Sequence, residues 1–514
     1  MRKRENLLLT GMGLALFALC ATAANVIILP YARAYYGYRA AGTLVCMAGA
    51  IALLLFVRGK MAKAGDAQLE RIARAARPAF LLLLFACHLA VGYLLEYTPM
   101  GDNHMLYDGS FTFARLGNFG GEDYDLYLSR FSNQWGFMLM LTAFHKLLLG
   151  LGLSGVRFYA LALVQAALYV PAVTLLLGMA RRLRGVRGEL ALMLLLMLCL
   201  PLYLAAAVLY TDTFSLPFVV FTLHFALRAM RQERLGGLLK NAALCGLCAF
   251  IGCQIKMTVA IVLIAACIVW LLTMKPVRAL AAMLLSAALV IFGTQAMHGV
   301  MLERVLDPAM VAQHNTPTIH WVMMSIPSAD NPYGGPTGDY GITWGMQEAG
   351  ETPEAVMASI LSRMKDKIYT LRYPNRLMAA MLRKNAAALG DGTFGMTEML
   401  DDGPVRENAL SQLVLEGRGL YPAYMAVCSG VWFAALLMAA ASVAADMRRR
   451  DFSFAVIAVA VLGMLLFLLL WEARSRYMFS YVPLVLLLAS GFLARTDDAK
   501  EGRPWQRAMQ RFAR

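Results

Sequence analysis

The sequence predicts an all-α polytopic membrane protein. Of its 514 residues, 60% are hydrophobic and only 15% are charged, whereas charged residues make up about a quarter of an ordinary soluble domain. The hydrophobic residues form successive apolar runs of roughly 20 residues, which is the length that an α-helix needs to cross a bilayer. Composition and spacing together exclude a soluble globular domain.

The formal net charge of +15 has a distribution that is typical of membrane proteins. The basic residues form short clusters between apolar runs, at 2–4, 58–63, 181–187 and 448–450. Short basic loops mark the cytoplasmic side of a polytopic membrane protein, so we attribute the charge to orientation in the membrane. No nucleic-acid partner is expected.

About twelve spans are predicted, with both termini cytoplasmic and the protein in the plasma membrane. The N-terminal run is interpreted as a signal anchor, because it is long and no small-residue cleavage site follows it. The apolar piece 134–150 must not cross, since a crossing there would place the basic loop at 179–188 outside; we expect an amphipathic or re-entrant helix at the outer leaflet. The predicted spans are 7–29, 39–57, 78–96, 156–178, 189–208, 213–229, 240–255, 257–274, 277–298, 421–444, 452–471 and 477–494.

These spans suggest four regions. Residues 1–77 hold two N-terminal transmembrane helices and a basic cytoplasmic loop, and residues 421–514 hold the C-terminal helices and a basic tail. Between them lie a transmembrane core, 78–298, with an outer loop at 97–155, and a small α-rich extracytoplasmic domain at 299–420. In that domain, Thr352 and Pro353 match the N-cap and first position of a helix.

The polar stretch 96–135 carries the first candidate site residues. Asp102 follows a predicted span, and a carboxylate held against apolar protein at a membrane surface can act as a general base. The alternative is a solvated loop acid. Asp108 is a rival for the same role, and His104 with the two acids could instead hold a divalent cation, although no fixed ligand spacing supports a metal.

Aromatic residues crowd the same stretch. Tyr107 and Tyr124 are of the kind on which sugar rings pack, but aromatic side chains also mark membrane interfaces in general.

Further charged residues fall at the outer ends of predicted spans. Lys256 either snorkels to the interface or binds a phosphate at the headgroup level. Glu472, Arg474 and Arg476 follow a span on the side where cations are usually rare, which favours anion binding. Asp212, in a short outward turn, is either a helix N-cap or a functional acid.

The nine cysteines all lie in apolar stretches, so no disulfide framework is predicted. Cys245, Cys248 and Cys253 have a spacing that superficially suggests a metal site. They fall within one predicted span without a companion histidine, and we therefore expect them to pack between helices. No P-loop, GxSxG, HExxH or dinucleotide-binding motif is present.

Several of these features together resemble the GT-C superfamily of integral membrane glycosyltransferases. They are an acid shortly after an N-terminal span, an outer loop with juxtamembrane helices, the Tyr-Thr-Asp turn at 210–212 and a basic outer end on the last pair of spans. The closer likeness is to bacterial relatives of the protein mannosyltransferase and aminoarabinose transferase type, which are related to glycosyltransferase family 39. Matching strings are YLSRFSNQWGFMLML with Asn133 and Gly136, HWVMM at His320, GDGTFG at 390–395 and WEARSRY at 471–477.

The likeness covers nearly the whole chain after about residue 78, so the first two spans look like an addition to the common core. It implies a GT-C-like fold and a hexosyltransferase that uses a sugar on a polyprenyl phosphate and an outer acceptor hydroxyl on a polysaccharide, glycolipid or protein. Transfer would be a single inverting displacement with Asp102, or its rival Asp108, as base. No cofactor is certain, although a divalent cation is possible. Substrate-binding residues would be His104, Tyr107, Tyr124, Asn133, Asp212, Lys256, Glu472, Arg474 and Arg476.

Two other functions fit a polytopic chain. A transporter or lipid-linked-saccharide flippase would also carry many spans and intramembrane charges, and an inactive scaffold for cell-envelope assembly would need no catalytic residues. Transporters usually show repeated halves and charges near the bilayer centre, and this sequence shows neither. The enzyme hypothesis requires residues 102, 256 and 476 to lie on the same outer face.

Overall fold

The computed structural model describes residues 2–37, 40–400 and 405–495, and its regular structure is helical. The predicted cytoplasmic tail beyond Arg495 lies outside the described residues. The α-helices of the described residues, in chain order, are α1 Arg2–Ile28, α2 Tyr31–Tyr36, α3 Ala40–Lys63, α4 Asp66–Leu94, α5 Gly101–Leu116, α6 Glu122–Arg130, α7 Trp135–Gly150, α8 Arg157–Leu198, α9 Pro201–Leu204, α10 Thr211–Met230, α11 Leu235–Ile255, α12 Ala260–Thr273, α13 Pro276–Arg304, α14 Pro308–His314, α15 Thr318–Ser325, α16 Asp339–Glu348, α17 Pro353–Thr370, α18 Pro374–Leu389, α19 Ala409–Val414, α20 Tyr421–Arg449, α21 Ala455–Leu470 and α22 Val482–Leu493.

Within the described residues, nine helical segments are long and apolar enough to cross a membrane, where the sequence predicts about twelve. Two of the predicted spans correspond to apolar helices that are shorter than the others, Met257–Thr273 and Ala455–Leu470. Another two, 156–178 and the first half of 189–208, lie in the segment Ser154–Leu198, whose two helical limbs are divided at Gly185. The counts of nine and twelve therefore differ because two spans are short and two share one segment. Each predicted span still overlaps an apolar helix.

The helix α8 turns back on itself at Gly185. This residue has φ 70° and ψ −168°, a backbone conformation that L side chains rarely adopt. A Cβ atom placed on Gly92 of α4 would lie 3.3 Å from Ala162 Cβ and 3.8 Å from the Ala206 carbonyl oxygen. Residues before and after the turn thus lie at the same level of α4, as expected of two antiparallel limbs.

The predicted cytoplasmic loops share one face of the bundle, which we call the basic face. Contacts link the loops at 58–77, 179–188, 228–240, 275–278 and 446–451 to one another or to the N-terminus. The five loops therefore lie on one face of the bundle, and the assignment of this face to the cytoplasmic side of a membrane stays a prediction. The linking pairs are Arg181 with Glu70 at 2.5 Å, Arg184 with Asp451 at 2.8 Å, Arg450 with Glu5 at 3.7 Å, Arg278 with the Glu233 carbonyl at 2.8 Å and Arg4 with the Met274 carbonyl at 3.2 Å.

The opposite face, which we call the lid face, carries the two long segments at 97–155 and 299–420. Helix α4 leads there from the basic face, and its 29 residues span about 44 Å. Both ends of α7 lie at the lid face: Gln134, just before it, donates a hydrogen bond to Tyr210, and Arg157, soon after it, pairs with Asp108. The two ends of α7 thus lie on one face of the bundle, and the statement that 134–150 does not cross the membrane stays a prediction.

The described residues 308–400 and 405–414 of the second segment form a helical lid over this face. Thr352 caps α17 by accepting a hydrogen bond from the Ala355 amide at 3.3 Å, and Pro353 is the first residue of the helix, as the sequence predicts. The lid is bonded to the bundle: the Ser325 hydroxyl donates to the Leu470 carbonyl at 2.9 Å, and the Ala473 amide donates to the Gly334 carbonyl at 2.9 Å.

The N-terminal helix α1 is part of the packed bundle. It lies against α12, α20 and α21 and buries one side chain on each turn, including Leu8, Met12, Ala15 and Leu19. This spacing of three to four residues is the apolar stripe of a helix that packs on one side.

Candidate functional site

Charged and tyrosine side chains from four helix ends meet at the lid face in a group that we call the lid-face cluster. Asp102 comes from the first turn of α5, Tyr210 and Asp212 from the start of α10, and Lys256 from the end of α11. The remaining members follow α21. The cluster consists of Asp102, Tyr210, Asp212, Lys256, Glu472, Arg474, Arg476 and Tyr477.

Asp102 is held by a tyrosine rather than left in a solvated loop. The Tyr210 hydroxyl donates a hydrogen bond to Asp102 Oδ2 at 3.3 Å, and Gln134 Nε2 donates to the Tyr210 oxygen at 3.1 Å. Tyr210 is buried, and Asp102 is half-buried. The first turn of a helix also favours a carboxylate, because the unpaired amides there carry partial positive charge. Asp102 is thus oriented toward the cluster.

Asp212 lies between two cations. Its side chain is 2% exposed, Lys256 Nζ pairs with Oδ1, and Arg476 Nε lies 3.7 Å from Oδ2. The helix-cap interpretation is wrong, since Tyr210 occupies the N-cap position of α10 and Asp212 belongs to the first turn. A carboxylate this deeply buried needs the cations to offset the loss of water.

Lys256 and Arg476 also contact aromatic rings. Lys256 Nζ lies 4.2 Å from the centroid of the Tyr477 ring, and Arg476 Cζ lies 5.7 Å from that of Tyr210. Burial lowers the pKa of Lys256, while the charge of Asp212 opposes that shift. The lysine therefore points into the protein, and the snorkelling alternative is wrong.

Arg474 is the most exposed cation of the cluster, with 31% of its side chain accessible. Its Nε donates to Glu472 Oε1 at 2.6 Å, and the Tyr477 hydroxyl donates to Glu472 Oε2 at 2.9 Å. Glu472 is thereby tied to its neighbours, whereas part of the Arg474 guanidinium faces the open side of the cluster.

Asp108 belongs to a different group on α5. Its Oδ2 lies 2.7 Å from His104 Nδ1, and its Oδ1 accepts a hydrogen bond from Arg157 at 2.5 Å. The Arg157 guanidinium covers the buried Tyr107 ring, and the Tyr124 hydroxyl lies 3.4 Å from His104 Nε2. Since both oxygens of Asp108 are engaged, the geometry favours Asp102 as the available acid.

The structure separates several other predicted residues from the cluster. Tyr107 is 3% exposed and offers no open face for a sugar. Asn133 is exposed, and its neighbour Gln134 is the residue that reaches Tyr210. Among the residues that the structure describes, no three His, Cys, Asp or Glu side chains converge as a metal site would require. The cysteines are free thiols, and Cys245 Sγ donates to the Thr222 carbonyl at 3.5 Å.

Sequence reasoning missed Asp391, which supports the cluster from behind. Its carboxylate accepts hydrogen bonds from the Thr393 amide at 2.8 Å, the Gly395 amide at 3.1 Å and the Ser475 hydroxyl at 3.2 Å. The bond from Ser475 fixes the backbone between Arg474 and Arg476. Burial raises the pKa of Asp391. The sequence did contain a signal for Asp391, because this residue lies in the GDGTFG string that contributes to the GT-C resemblance.

Aromatic rings of the lid pack with one another and with Phe131 of the segment 97–155. Tyr340 lies 5.6 Å from Trp321 and 5.0 Å from Trp344, measured between ring centroids, and Phe131 lies 5.7 Å from Trp321. Each of these side chains is half-buried. Burial raises the pKa of Tyr340.

Comparison with known proteins identifies the family. The sequence profile of the family described as conserved hypothetical integral membrane protein matches residues 14–496. The chain belongs to this family. It is accordingly a multi-pass integral membrane protein, as the composition and the helices indicate. No curated protein matches the chain significantly.

Among solved structures, the chain is similar to the crystal structure of ArnT from Cupriavidus metallidurans bound to undecaprenyl phosphate. Sequence identity is 14%, the similarity covers 81% of this chain and 77% of that one, and the TM-score is 0.35. A likeness of this size does not by itself establish a common fold.

Proposed function

We propose that this family member is a membrane glycosyltransferase with a GT-C-like fold. It would transfer a sugar from a polyprenyl-phosphate donor to an acceptor hydroxyl at the lid face. The observation that carries the proposal is the placement of the half-buried Asp102 carboxylate in one cluster with Lys256, Arg474 and Arg476. The basic face is cytoplasmic by the positive-inside rule, so the lid face is external.

The charges of the cluster suit a phosphate leaving group. A phosphate departs as a stable anion and needs no proton, so one base and several cations suffice, in contrast to the two carboxylates of a glycosidase. Asp212 and Glu472 are tied to cations and hold those cations in place. Asp102 is the acid that remains to accept a proton.

The reaction would proceed in one displacement. Asp102 removes the proton of the acceptor hydroxyl, and the acceptor oxygen forms a bond to the anomeric carbon. At the same time the bond between that carbon and the phosphate oxygen breaks, and its electron pair leaves with the phosphate. Lys256, Arg474 and Arg476 stabilise the charge that develops there. Attack opposite the leaving group inverts the anomeric configuration.

Three of the four sequence strings behind the GT-C resemblance meet the Tyr-Thr-Asp turn in space, which supports this proposal. Gln134 and Asp391 each bond to a residue of the turn or of the string WEARSRY, which supply the cluster members Tyr210 and Glu472. Residues that a shared active site would require to converge thus do converge.

The test is transfer by the purified protein from a labelled polyprenyl-phosphate sugar, with released polyprenyl phosphate and labelled acceptor as readouts. Asp102→Asn should lower the rate by about 10²–10⁴, the range that a general base contributes, while retaining the thermal midpoint of the wild type. Asp108→Asn is the matched control on the same helix, and it should keep most of the activity. Full activity of Asp102→Asn would exclude that residue as the base.

The transporter or flippase alternative predicts a different result. If the wild-type protein in proteoliposomes moved the labelled lipid between leaflets without releasing polyprenyl phosphate, the transferase proposal would fail. Orientation is checked with Leu116→Cys on the lid face and Arg74→Cys on the basic face. Both positions are exposed, and only the first should react with an impermeant thiol reagent added outside intact cells.

A further inference from the structure

A second charged site lies on the basic face, far from the lid-face cluster. The end of the first limb of α8 and the end of α10 surround a small cavity there. We call its polar lining the basic-face arginine cluster. It consists of Arg182, His224, Arg228 and Arg231, and apolar side chains complete the wall.

Two arginines of this cluster differ from the arginines beside them in the chain, because they form no ion pair with a described carboxylate. Arg181 pairs with Glu70 and Glu189, and Arg184 pairs with Asp446 and Asp451. In the part of the chain that the structure describes, by contrast, no carboxylate lies within ion-pair distance of Arg182 or Arg228. In the same loop, Arg181 and Arg184 therefore bind protein carboxylates, whereas Arg182 lines the cavity.

The histidine of the cluster is an independent sign of a ligand. His224 is 3% exposed and lines the cavity, and among the described residues its buried Nδ1 atom has no hydrogen-bond partner. A buried ring nitrogen without a partner costs free energy. Since the cavity has room for about one water molecule, a water that joins His224 Nδ1 to a ligand at the mouth would supply that partner.

The positive charges also act on one another. Burial lowers the pKa of Arg231, and the charge of Arg182 lowers it further. Like charges held close together in a partly buried place repel one another, and a bound anion reduces that repulsion.

We propose that the basic-face arginine cluster binds a phosphate group. Guanidinium groups suit phosphate because they donate paired hydrogen bonds in a fixed planar arrangement. The cavity has a volume of about 10 Å³ and is too small to enclose a phosphate group. The phosphate therefore sits at the mouth, where Arg182 and Arg228 are exposed.

The phosphate has two possible sources with the same chemistry. An anionic phospholipid headgroup would reach the cluster from the inner leaflet, and free phosphate would reach it from the aqueous side. The site is on the face opposite the proposed active site, so it does not depend on the proposed transferase activity.

The experiment compares ligand binding by the full-length protein in detergent with two double variants. Arg182→Gln/Arg228→Gln removes two cluster charges. Arg71→Gln/Arg74→Gln removes two exposed charges from α4 on the same face and is the charge-matched control. Phosphatidylglycerol, phosphatidylcholine and inorganic phosphate are titrated separately at constant ionic strength, with bound lipid counted by native mass spectrometry and phosphate binding measured by calorimetry.

The wild type should bind phosphatidylglycerol or inorganic phosphate saturably, and the cluster variant should bind at least tenfold more weakly while the control is unchanged. Saturation by the lipid alone identifies a headgroup, and saturation by inorganic phosphate identifies a soluble anion. Arg182→Lys/Arg228→Lys should bind with intermediate affinity, because it keeps the charge and loses the planar donors. Equal affinity of the cluster variant and the control, or no saturable binding by the wild type, would overturn the proposal.

Discussion

Tyr210 donates its phenolic hydrogen to Asp102 Oδ2 across 3.3 Å, and this bond joins the first outer segment to the start of α10. The two residues are far apart in the chain, and both lie where an apolar helix meets the lid face. The bond orients the carboxylate that we propose as the base, and Gln134 in turn orients the tyrosine.

Removing the Tyr210 hydroxyl should therefore slow transfer without preventing it. A hydrogen bond to a charged group contributes about 1.5–3 kcal/mol, so Tyr210→Phe is expected to lower kcat by roughly tenfold or more and to leave KM little changed. Tyr203→Phe, which removes a hydroxyl bonded to the Leu196 carbonyl, is the control and should keep wild-type kcat. An unaltered rate in Tyr210→Phe would exclude a positioning role.

The pairing around Asp212 predicts an order of stabilities. Asp212→Ala leaves Lys256 and Arg476 without the acid between them, and loss of one partner from a buried ion pair costs about 3–5 kcal/mol. Lys256→Met should cost less, because Arg476 remains 3.7 Å from Asp212. The stability of each variant is measured as its thermal midpoint in detergent. A lower midpoint for Lys256→Met than for Asp212→Ala would contradict this account of the cluster.

Lys384 predicts a pH dependence of stability. It is 1% exposed, its Nζ donates to the Ser325 carbonyl at 2.7 Å, and burial lowers its pKa from 10.5 to about 7. Between these values the unfolded chain binds a proton that the folded chain does not, so stability rises with pH across this window. Midpoints measured from about pH 7 to about pH 9 should rise more steeply for the wild type than for Lys384→Met. Parallel profiles would show that Lys384 does not titrate in this way.

The lid aromatic residues predict a change in substrate affinity if the proposed function holds. A sugar packed on the half-buried Trp321 ring would lose about 0.5–1.5 kcal/mol when the ring is removed, which corresponds to a rise of up to about tenfold in KM. Trp321→Phe keeps an aromatic face and should stay close to wild type. Equal KM for Trp321→Ala and Trp321→Phe would place the sugar elsewhere.

Gly392 in the GDGTFG string predicts a packing defect. A Cβ atom at this position would overlap the Cys428 carbonyl of α20, and backbone cannot move aside as a flexible side chain can. Gly392→Ala should lower the thermal midpoint or the folded yield sharply. Gly419→Ala is the control, because nothing lies within 4 Å of its Cβ position, and similar losses in both variants would exclude this explanation.

The sequence alone determined the helical membrane class, the approximate positions of the long apolar helices, the grouping of the basic loops on one face of the bundle and the Thr352 cap. These features depend on the apolar length of each segment, on charge next to it and on capping residues, which are local properties. Asp102, Asp212, Lys256, Glu472, Arg474 and Arg476 could be selected for the same reason, since each is a charge at the end of an apolar run.

Only the tertiary structure decided which of these residues meet. Asp102 and Asp108 look alike in the sequence, and they are distinguished by the helices beside them: Arg157 engages Asp108, whereas Tyr210 reaches Asp102. The pairing of Lys256 with Asp212, the support from Asp391 and the arginine cluster on the basic face likewise depend on which helix ends are neighbours. Which helix ends are neighbours is set by side-chain packing across the whole bundle. The apolar periodicity of a single helix does not specify it.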